Sequence, residues 1–321
     1  MIRTDRRVRD AGRPAGNEPS TVVLIGIDAA VDPRNNALTR GVWSTPTGTL
    51  SVQDLCDPSG EDEFHRTLAA WIGEAGETPI LLCVDAPLGW PAPLADALPH
   101  HHAGSPLPGE ANDLFRRITD REIRSRIGKT PLDVGADRIA RAAHRTLLRI
   151  GVIADATGHR ISLPLRSDEI GDAAVGTSPP PERGLEPGMG DASPEGVTHP
   201  GTAGTPPERP PPERPALQLL ETYPAGWFVS EGIDTSGYRP KGAREVRDTL
   251  LDRAIAAASV VSSVPREAFA KRTDSLDALI CLFAGVDALS GRAPDLYSRG
   301  LAPLREQIRR EGWIWCKSRP S

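Results

Sequence analysis

Short apolar runs alternate with amphipathic segments along the chain, and several of these runs end on an acidic residue. Residues 22–28 (Val-Val-Leu-Ile-Gly-Ile-Asp) and residues 80–85 (Ile-Leu-Leu-Cys-Val-Asp) are apolar or glycine up to a final aspartate. Runs of this length and composition predict buried strands. Residues 217–223 form a third such run, which carries Glu221 near its end.

The remaining pattern predicts an α/β fold. Residues 38–44 and 47–53 are expected to add two strands that form an antiparallel meander with the first. Apolar residues at helical spacing predict four helices, at residues 61–75, 135–150, 243–259 and 273–289. The Pro-rich stretch at residues 87–109 predicts a loop, and Thr273 is a candidate N-cap. We therefore expect a mixed five-stranded sheet, three antiparallel strands followed by two further strands, flanked by helices.

The 32 Pro and 31 Gly residues are concentrated in a few stretches, and these stretches predict the domain organisation. Residues 1–20 are polar and predict a disordered tail, and residues 167–215 contain two Pro-Pro-Pro runs and predict a disordered insertion. Strand-like sequence resumes directly after residue 215. We therefore expect one domain built from residues 21–166 and 216–321.

Composition limits the classes of function. The net charge is −5, so a strongly basic nucleic-acid-binding surface is absent from the chain as a whole. The four cysteines show no Cys-x-x-Cys spacing, which disfavours a zinc ribbon or a thioredoxin-like site. No apolar run reaches the ~18 residues of a spanning helix, and the N-terminus has no apolar signal segment. We expect a cytoplasmic protein that does not enter a membrane, and the sequence leaves its oligomeric state open.

Acidic residues provide the strongest chemical signal. Asp28, Asp85 and Glu221 lie at the ends of predicted strands, and Asp274 and Asp277 share one face of the last predicted helix. A buried carboxylate is costly unless it has a partner or a cation. Oxygen ligands without thiolate or imidazole suit Mg²⁺ or Mn²⁺, which predicts a catalytic metal site.

Some of these acids also have structural interpretations. Asp274 lies in the first turn of its helix, where the helix dipole favours a negative charge. Glu221 suits a metal by position, but an ion pair with Arg117 or Arg121 would satisfy it equally well. Asp277 lies among apolar residues and has no such explanation.

A basic stretch is the candidate substrate-binding segment. Residues 113–149 contain nine Arg and one Lys against four Asp and one Glu, a local charge of +5. Arg117, Arg121 and Arg124 could contact the phosphates of a nucleic acid, DNA or RNA. The alternative is a solvated helix face whose arginines pair with neighbouring acids.

Five motifs together resemble the DUF429 family, a group of predicted nucleases with a ribonuclease H-like fold. The motifs are Gly26-Ile27-Asp28, Val84-Asp85-Ala86-Pro87-Leu88-Gly89, Arg117-Ile118-Thr119-Asp120-Arg121, Glu221-Thr222-Tyr223-Pro224-Ala225 and Asp274-Ser275-Leu276-Asp277-Ala278. The resemblance covers roughly residues 22–165 and 216–316. It implies a ribonuclease H-like sheet and metal on Asp28, Asp85 and Asp277.

Three functions follow as hypotheses. The first is a hydrolase: an Mg²⁺- or Mn²⁺-dependent nuclease in which Asp28 and Asp277 bind metal, Asp85 bridges or binds a second ion, and Asp274 or Glu221 orients ligands or water. The second is a non-catalytic binding or scaffold protein of the same fold. The third is a phosphotransferase of the actin or sugar-kinase type. It is disfavoured because Asp28 is followed by Ala-Ala-Val and not by glycine.

Overall fold

One seven-stranded sheet forms the centre of the molecule. The computed structural model describes residues 20–135, 137–171 and 214–319. The strands are β1 (Thr21–Asp28), β2 (Ala37–Ser44), β3 (Thr49–Cys56), β4 (Ile80–Asp85), β5 (Ile161–Ser162), β6 (Leu217–Glu221) and β7 (Val260–Ser262). Their order in the sheet is β5-β6-β4-β1-β2-β3-β7. The expected α/β class, with a mixed sheet flanked by helices, is confirmed.

The direction of the strands brings acidic strand ends together. β1, β2 and β3 form an antiparallel meander, whereas β4 runs parallel to β1 and β6 runs parallel to β4. Asp28 and Asp85 are direct neighbours in the register of β1 and β4, and Val84 pairs with Glu221 of β6. Because parallel neighbouring strands have their C-terminal ends on the same side of a sheet, Asp28, Asp85 and Glu221 lie together at one end of the strands.

Two strands were not predicted. The five longer strands lie within three residues of their expected bounds, but β5 has two residues and β7 has three. Both are edge strands of the sheet. A strand this short contains too few residues to show an alternating pattern, so the expected count of five was wrong.

Helices cover both faces of the sheet. They are α1 (Glu61–Ala75), α2 (Ala92–Ala97), α3 (Ala111–Phe115), α4 (Ile118–Ile127), α5 (Asp137–Thr157), α6 (Pro224–Ser230), α7 (Arg244–Ala257), α8 (Arg266–Lys271), α9 (Thr273–Leu289) and α10 (Arg305–Glu311). On one face, Ile25 and Ile27 of β1 share an apolar cluster with residues of α1 and α5. On the other face, Leu24 shares a cluster with residues of α9. The helices of the described residues include none with the length and apolar content needed to cross a bilayer.

Three local predictions were wrong. Residues 87–109 were expected to form a loop, but α2 lies within them, starting directly after Pro91. The helix expected to end at residue 150 continues to Thr157. Thr273 does not cap α9, because Arg272 occupies the cap position and the Thr273 hydroxyl donates to the Arg239 carbonyl oxygen 3.3 Å away.

The domain prediction falls partly outside the described residues. Residues 1–19 of the expected tail and residues 172–213 of the expected insertion are not among them. Residues 167–171 are described and form part of the packed structure, since Ser167 donates its backbone N–H to Asp295 and Gly171 donates to Gln218. Strands from both sides of the expected insertion pair in the same sheet.

Helix α9 lies directly against β1 because Gly26 has no side chain. A Cβ atom at Gly26 would overlap the backbone carbonyl oxygen of Ala278 and lie 3.2 Å from Leu282 Cδ2. Gly285 faces Cys83 and Leu24 in the same contact. Gly26 therefore allows the backbone of α9 to approach β1 closely, and Gly285 leaves space on α9 for the side chains of Cys83 and Leu24.

Replacing Gly26 with alanine is expected to destabilise the protein. The clash is with the backbone of α9, which cannot rotate away, so we expect Gly26→Ala to lower the free energy of unfolding by about 1–3 kcal/mol or more. Denaturant unfolding measures the change. Gly73→Ala is the matched control, since Gly73 lies exposed in α1 and a Cβ atom added there would have no neighbouring atom within 4 Å. It should be neutral or stabilising by about 0.5–1 kcal/mol. Equal effects of the two substitutions would contradict the proposed close approach.

Candidate metal centre

Three carboxylates converge at the end of the sheet. Asp28 is the last residue of β1, Asp85 is the last residue of β4, and Asp277 lies near the start of α9. One oxygen from each carboxylate can be chosen so that all three lie within 4.8 Å of one another. The two strands fix the first two residues as neighbours, and the contact of α9 with β1 brings the third over them.

The environment of the cluster favours the protonated form of all three acids. Burial raises the pKa of Asp277 to about 8, and the charge of Asp85 adds to the effect. Burial likewise raises the pKa of Asp85 to about 7. The pKa of Asp28 is well above its ordinary value because of burial and then of repulsion by Asp277 and Asp85. The three negative charges are therefore costly where they lie.

Little within the protein compensates these charges. Among the residues that the structure describes, neither the Asp28 nor the Asp85 carboxylate makes a hydrogen bond or an ion pair. Asp277 has one donor, the Tyr238 hydroxyl, 3.2 Å from each of its carboxylate oxygens. A cluster of oxygens with uncompensated charge fits a hard divalent cation, which supplies the missing positive charge.

Asp274 lies beside the cluster but is not part of the group of three. Its charge raises the pKa of both Asp28 and Asp277, so it is close to them. Its own carboxylate forms an ion pair with Arg272, which also lies 3.5 Å from Asp57. The structure thus gives Asp274 a partner within the protein, and its predicted role in orienting ligands or water stays a prediction.

Glu221 is committed to an ion pair with Arg117. Both residues are almost fully buried, and the two Nη atoms of Arg117 lie 2.7 Å from the two carboxylate oxygens of Glu221. Arg117 also donates to Asp120 at 2.8 Å and to the Glu311 carbonyl oxygen at 3.0 Å. Of the two interpretations left open by the sequence, the contacts favour the ion pair over the metal.

Arg117 therefore cannot bind a nucleic acid in the way the sequence suggested. Only 1% of its side chain is exposed, and its donors are taken by acids and a carbonyl group inside the protein. Arg121 is exposed but forms an ion pair with Asp113. Arg124 is exposed on α4. The prediction that Arg117 contacts substrate is corrected, because a buried guanidinium with satisfied donors is not available to phosphate.

Two basic residues and a tyrosine near the cluster were missed. Burial raises the pKa of all three clustered aspartates, and the positive charge of Arg239 opposes this rise in each of them. The Tyr238 hydroxyl donates to Asp277. Burial lowers the pKa of Lys129, and the charge of Arg239 adds to that, while Asp277 opposes it. The basic sequence Arg-Pro-Lys-Gly at residues 239–242 was visible, but nothing in the spacing linked it to the acids.

One protein-family model matches part of the chain. The model described as "Protein of unknown function (DUF429)" matches residues 26–166, and this match supports a relation to the DUF429 family. No curated protein and no solved structure matches the chain. The matched residues include Asp28, Asp85 and Arg117, whereas Glu221, Arg239 and Asp277 lie beyond them. The family description states no activity, so function rests on the geometry of the site.

The three aspartates predict an unusual dependence of stability on pH in the absence of metal. A carboxyl whose pKa is raised by folding destabilises the folded state as the pH rises from about 4 to that raised pKa. With chelator present, we expect the free energy of unfolding to fall between pH 5 and pH 8 by at least about 1.4 kcal/mol, the equivalent of one pKa unit. Denaturant unfolding across this range measures it.

Asp277→Asn provides the comparison for this pH dependence. The substitution removes one of the charges and keeps an oxygen that can accept from Tyr238. The variant should be more stable than the wild type at pH 8 and should show a flatter profile between pH 5 and pH 8. Superimposable profiles of the two proteins would show that the cluster does not carry the effect.

Glu221→Gln tests whether Glu221 is structural. Loss of one partner leaves the buried Arg117 charge incompletely compensated, so we expect a loss of about 3–5 kcal/mol in the free energy of unfolding. The affinity for Mn²⁺ should stay within about threefold of the wild-type value. Glu122→Gln is the control, since its ion pair with Arg299 is partly exposed and should contribute less than about 1 kcal/mol. Unchanged stability with lost Mn²⁺ binding would make Glu221 a metal ligand.

Proposed function

We propose that this protein is an Mg²⁺- or Mn²⁺-dependent nuclease that hydrolyses phosphodiester bonds. One observation carries the proposal: the oxygens of Asp28, Asp85 and Asp277 lie within 4.8 Å of one another, with no compensating ion pair among the described residues. A non-catalytic protein would be more stable without these uncompensated charges. Carboxylate-held metal at the end of a sheet suits chemistry on phosphate oxygens.

The order of the longer strands supports a ribonuclease H-like arrangement. Three antiparallel strands, β1 to β3, are followed by β4 and β6, which lie parallel to β1 on its other side. Helices cover both faces. This is the arrangement that the resemblance to the family implied. We include the ribonuclease H-like fold in the proposal because this strand order places Asp28 and Asp85 side by side at the ends of β1 and β4.

The chain's own residues would each have a defined part. Asp28, Asp85 and Asp277 would hold the cation, and Tyr238 would fix the Asp277 carboxylate through its hydroxyl. A bound divalent cation supplies Lewis-acid activation of water and stabilises charge on the phosphoryl oxygens. Hydrolysis would add water across one P–O bond and yield a phosphomonoester end and a free hydroxyl end.

The phosphotransferase alternative is weakened by the turn after β1. A phosphate-binding turn needs free backbone N–H groups. Here the Ala30 N–H donates to the Asn36 side-chain oxygen at 2.7 Å, and the Ala30 carbonyl oxygen accepts from Arg149 at 2.6 Å. The turn is thus committed to contacts within the protein.

Substitution of Asp28 tests the proposal. Removal of one of three charged ligands is expected to weaken Mg²⁺ and Mn²⁺ binding by at least ~10-fold. Substitution of a residue that only hydrogen-bonds to a metal ligand already lowers metal affinity by about this factor. We expect Asp28→Asn to lose metal-dependent cleavage of DNA and RNA substrates while it remains folded. Calorimetry measures the binding, and a panel of single- and double-stranded substrates measures the cleavage.

Asp62→Asn is the matched control. Asp62 is exposed on α1, and the substitution changes the net charge by the same amount. It should bind metal and cleave like the wild type. Cleavage by Asp28→Asn at the wild-type rate would refute the assignment, and wild-type protein that binds metal but cleaves no substrate would favour a binding function.

A further inference from the structure

A short loop places the positively charged side chain of Arg239 near the carboxylate cluster. The loop runs from Tyr238 to Lys241 and lies between α6 and α7. Tyr238 is buried and contacts Asp277, whereas the next residue, Arg239, is exposed. The guanidinium of Arg239 lies over the Tyr238 ring, 5.4 Å from its centroid. A side chain stacked on a residue that itself contacts Asp277 is held beside the cluster.

The backbone of this loop is fixed by Arg247. This buried arginine of α7 donates to the carbonyl oxygens of Tyr238 and Pro240 at 2.9 Å each and to that of Lys241 at 3.3 Å. Its Nε donates to the Ala270 carbonyl oxygen of α8 at 2.8 Å. Because the carbonyl groups on both sides of Arg239 accept from one buried side chain, the backbone position of Arg239 is set before any ligand binds.

Arg239 itself has no acidic partner. Among the described residues, its guanidinium makes neither a hydrogen bond nor an ion pair, although three carboxylates lie close enough for its charge to act on each of them. The other arginines around the site differ: Arg117 is bound to Glu221, and Arg272 is bound to Asp274. A guanidinium that is fixed, accessible and unpaired is suited to bind an anion.

We propose that Arg239 binds a non-bridging phosphate oxygen of the phosphodiester held at the carboxylate cluster. The inference rests on the proposed function, and it moves substrate binding from the α4 arginines to the loop between α6 and α7. It follows from the stacking on Tyr238, the Arg247 contacts and the absence of an acidic partner for Arg239 in the described structure. Arg239 is thereby a substrate-binding residue that the sequence did not indicate.

The proposal predicts effects of opposite sign on metal and on substrate. In Arg239→Ala, loss of a nearby positive charge should tighten Mn²⁺ binding about threefold, because repulsion between the two cations is removed. Affinity of the Mn²⁺-loaded protein for the phosphodiester bis(4-nitrophenyl) phosphate should fall about 10-fold or more, because a charge-assisted hydrogen bond is lost. A variant that merely disturbed the fold would weaken both.

Two further variants separate charge from geometry. Arg239→Lys retains the charge but not the planar pair of donors, so its Mn²⁺ affinity should match the wild type and its diester affinity should fall by a smaller factor. Lys241→Ala is the matched control, because it removes one positive charge from an exposed side chain of the same loop. It should leave both affinities within about twofold of the wild-type values.

Calorimetry and release of 4-nitrophenol distinguish the possible outcomes. Tighter Mn²⁺ binding with weaker diester binding in Arg239→Ala supports the proposal. Unchanged diester affinity in Arg239→Ala, or equal losses in Lys241→Ala, overturns it. A wild-type protein that binds the diester without hydrolysing it contradicts the nuclease function, and the affinity ratios still decide the role of Arg239. A wild type that binds neither Mn²⁺ nor the diester overturns both.

Discussion

The close contact of α9 with β1 is the constraint on which the rest of the structure depends. Gly26 lets the backbone of α9 lie against the strand, and Gly285 admits Cys83 and Leu24 in the same contact. The helix is apolar along most of its length and buries residues from Ser275 to Ala288. The same contact that fills one face of the core therefore places Asp277 above the ends of two strands.

Two groups of acids lie at this end of the sheet, and their surroundings differ: Glu221 and Asp120 are buried, whereas Asp28 and Asp85 are half-buried. Glu221 and Asp120 share the guanidinium of Arg117, and Glu221 also accepts the Leu88 N–H at 3.1 Å. Asp28 and Asp85 have no such partner within the described structure. A buried acid that serves the fold is expected to have its charge compensated inside the protein. The contrast therefore separates acids whose charge is compensated inside the protein from acids whose charge is not.

The sequence predicted much of the fold because long elements carry periodic patterns. β1, β4 and β6 were visible as apolar runs that end on or near an acidic residue, whereas the parallel direction of β4 and β6 was not predicted. The short strands β5 and β7 and the six-residue α2 were missed, since a pattern needs several residues to appear. The positions at element ends brought five acids into consideration, and the resemblance to the family selected Asp28, Asp85 and Asp277 among them. Arg117 was misjudged because the charge of an arginine shows in a sequence, whereas its burial among acids does not.

The site also explains why its residues come from both halves of the chain. Asp28 and Asp85 lie within the residues matched by the family model, and Asp277 and the loop of Arg239 lie beyond them. The part of the chain beyond residue 166 is needed for both the core and the site. Its helix α9 covers the sheet face that includes Leu24 and also supplies Asp277, the third carboxylate. Without α9, two neighbouring carboxylates would remain beside an uncovered apolar face. The burial of the apolar residues of α9 therefore offsets the electrostatic cost of bringing the three acids together.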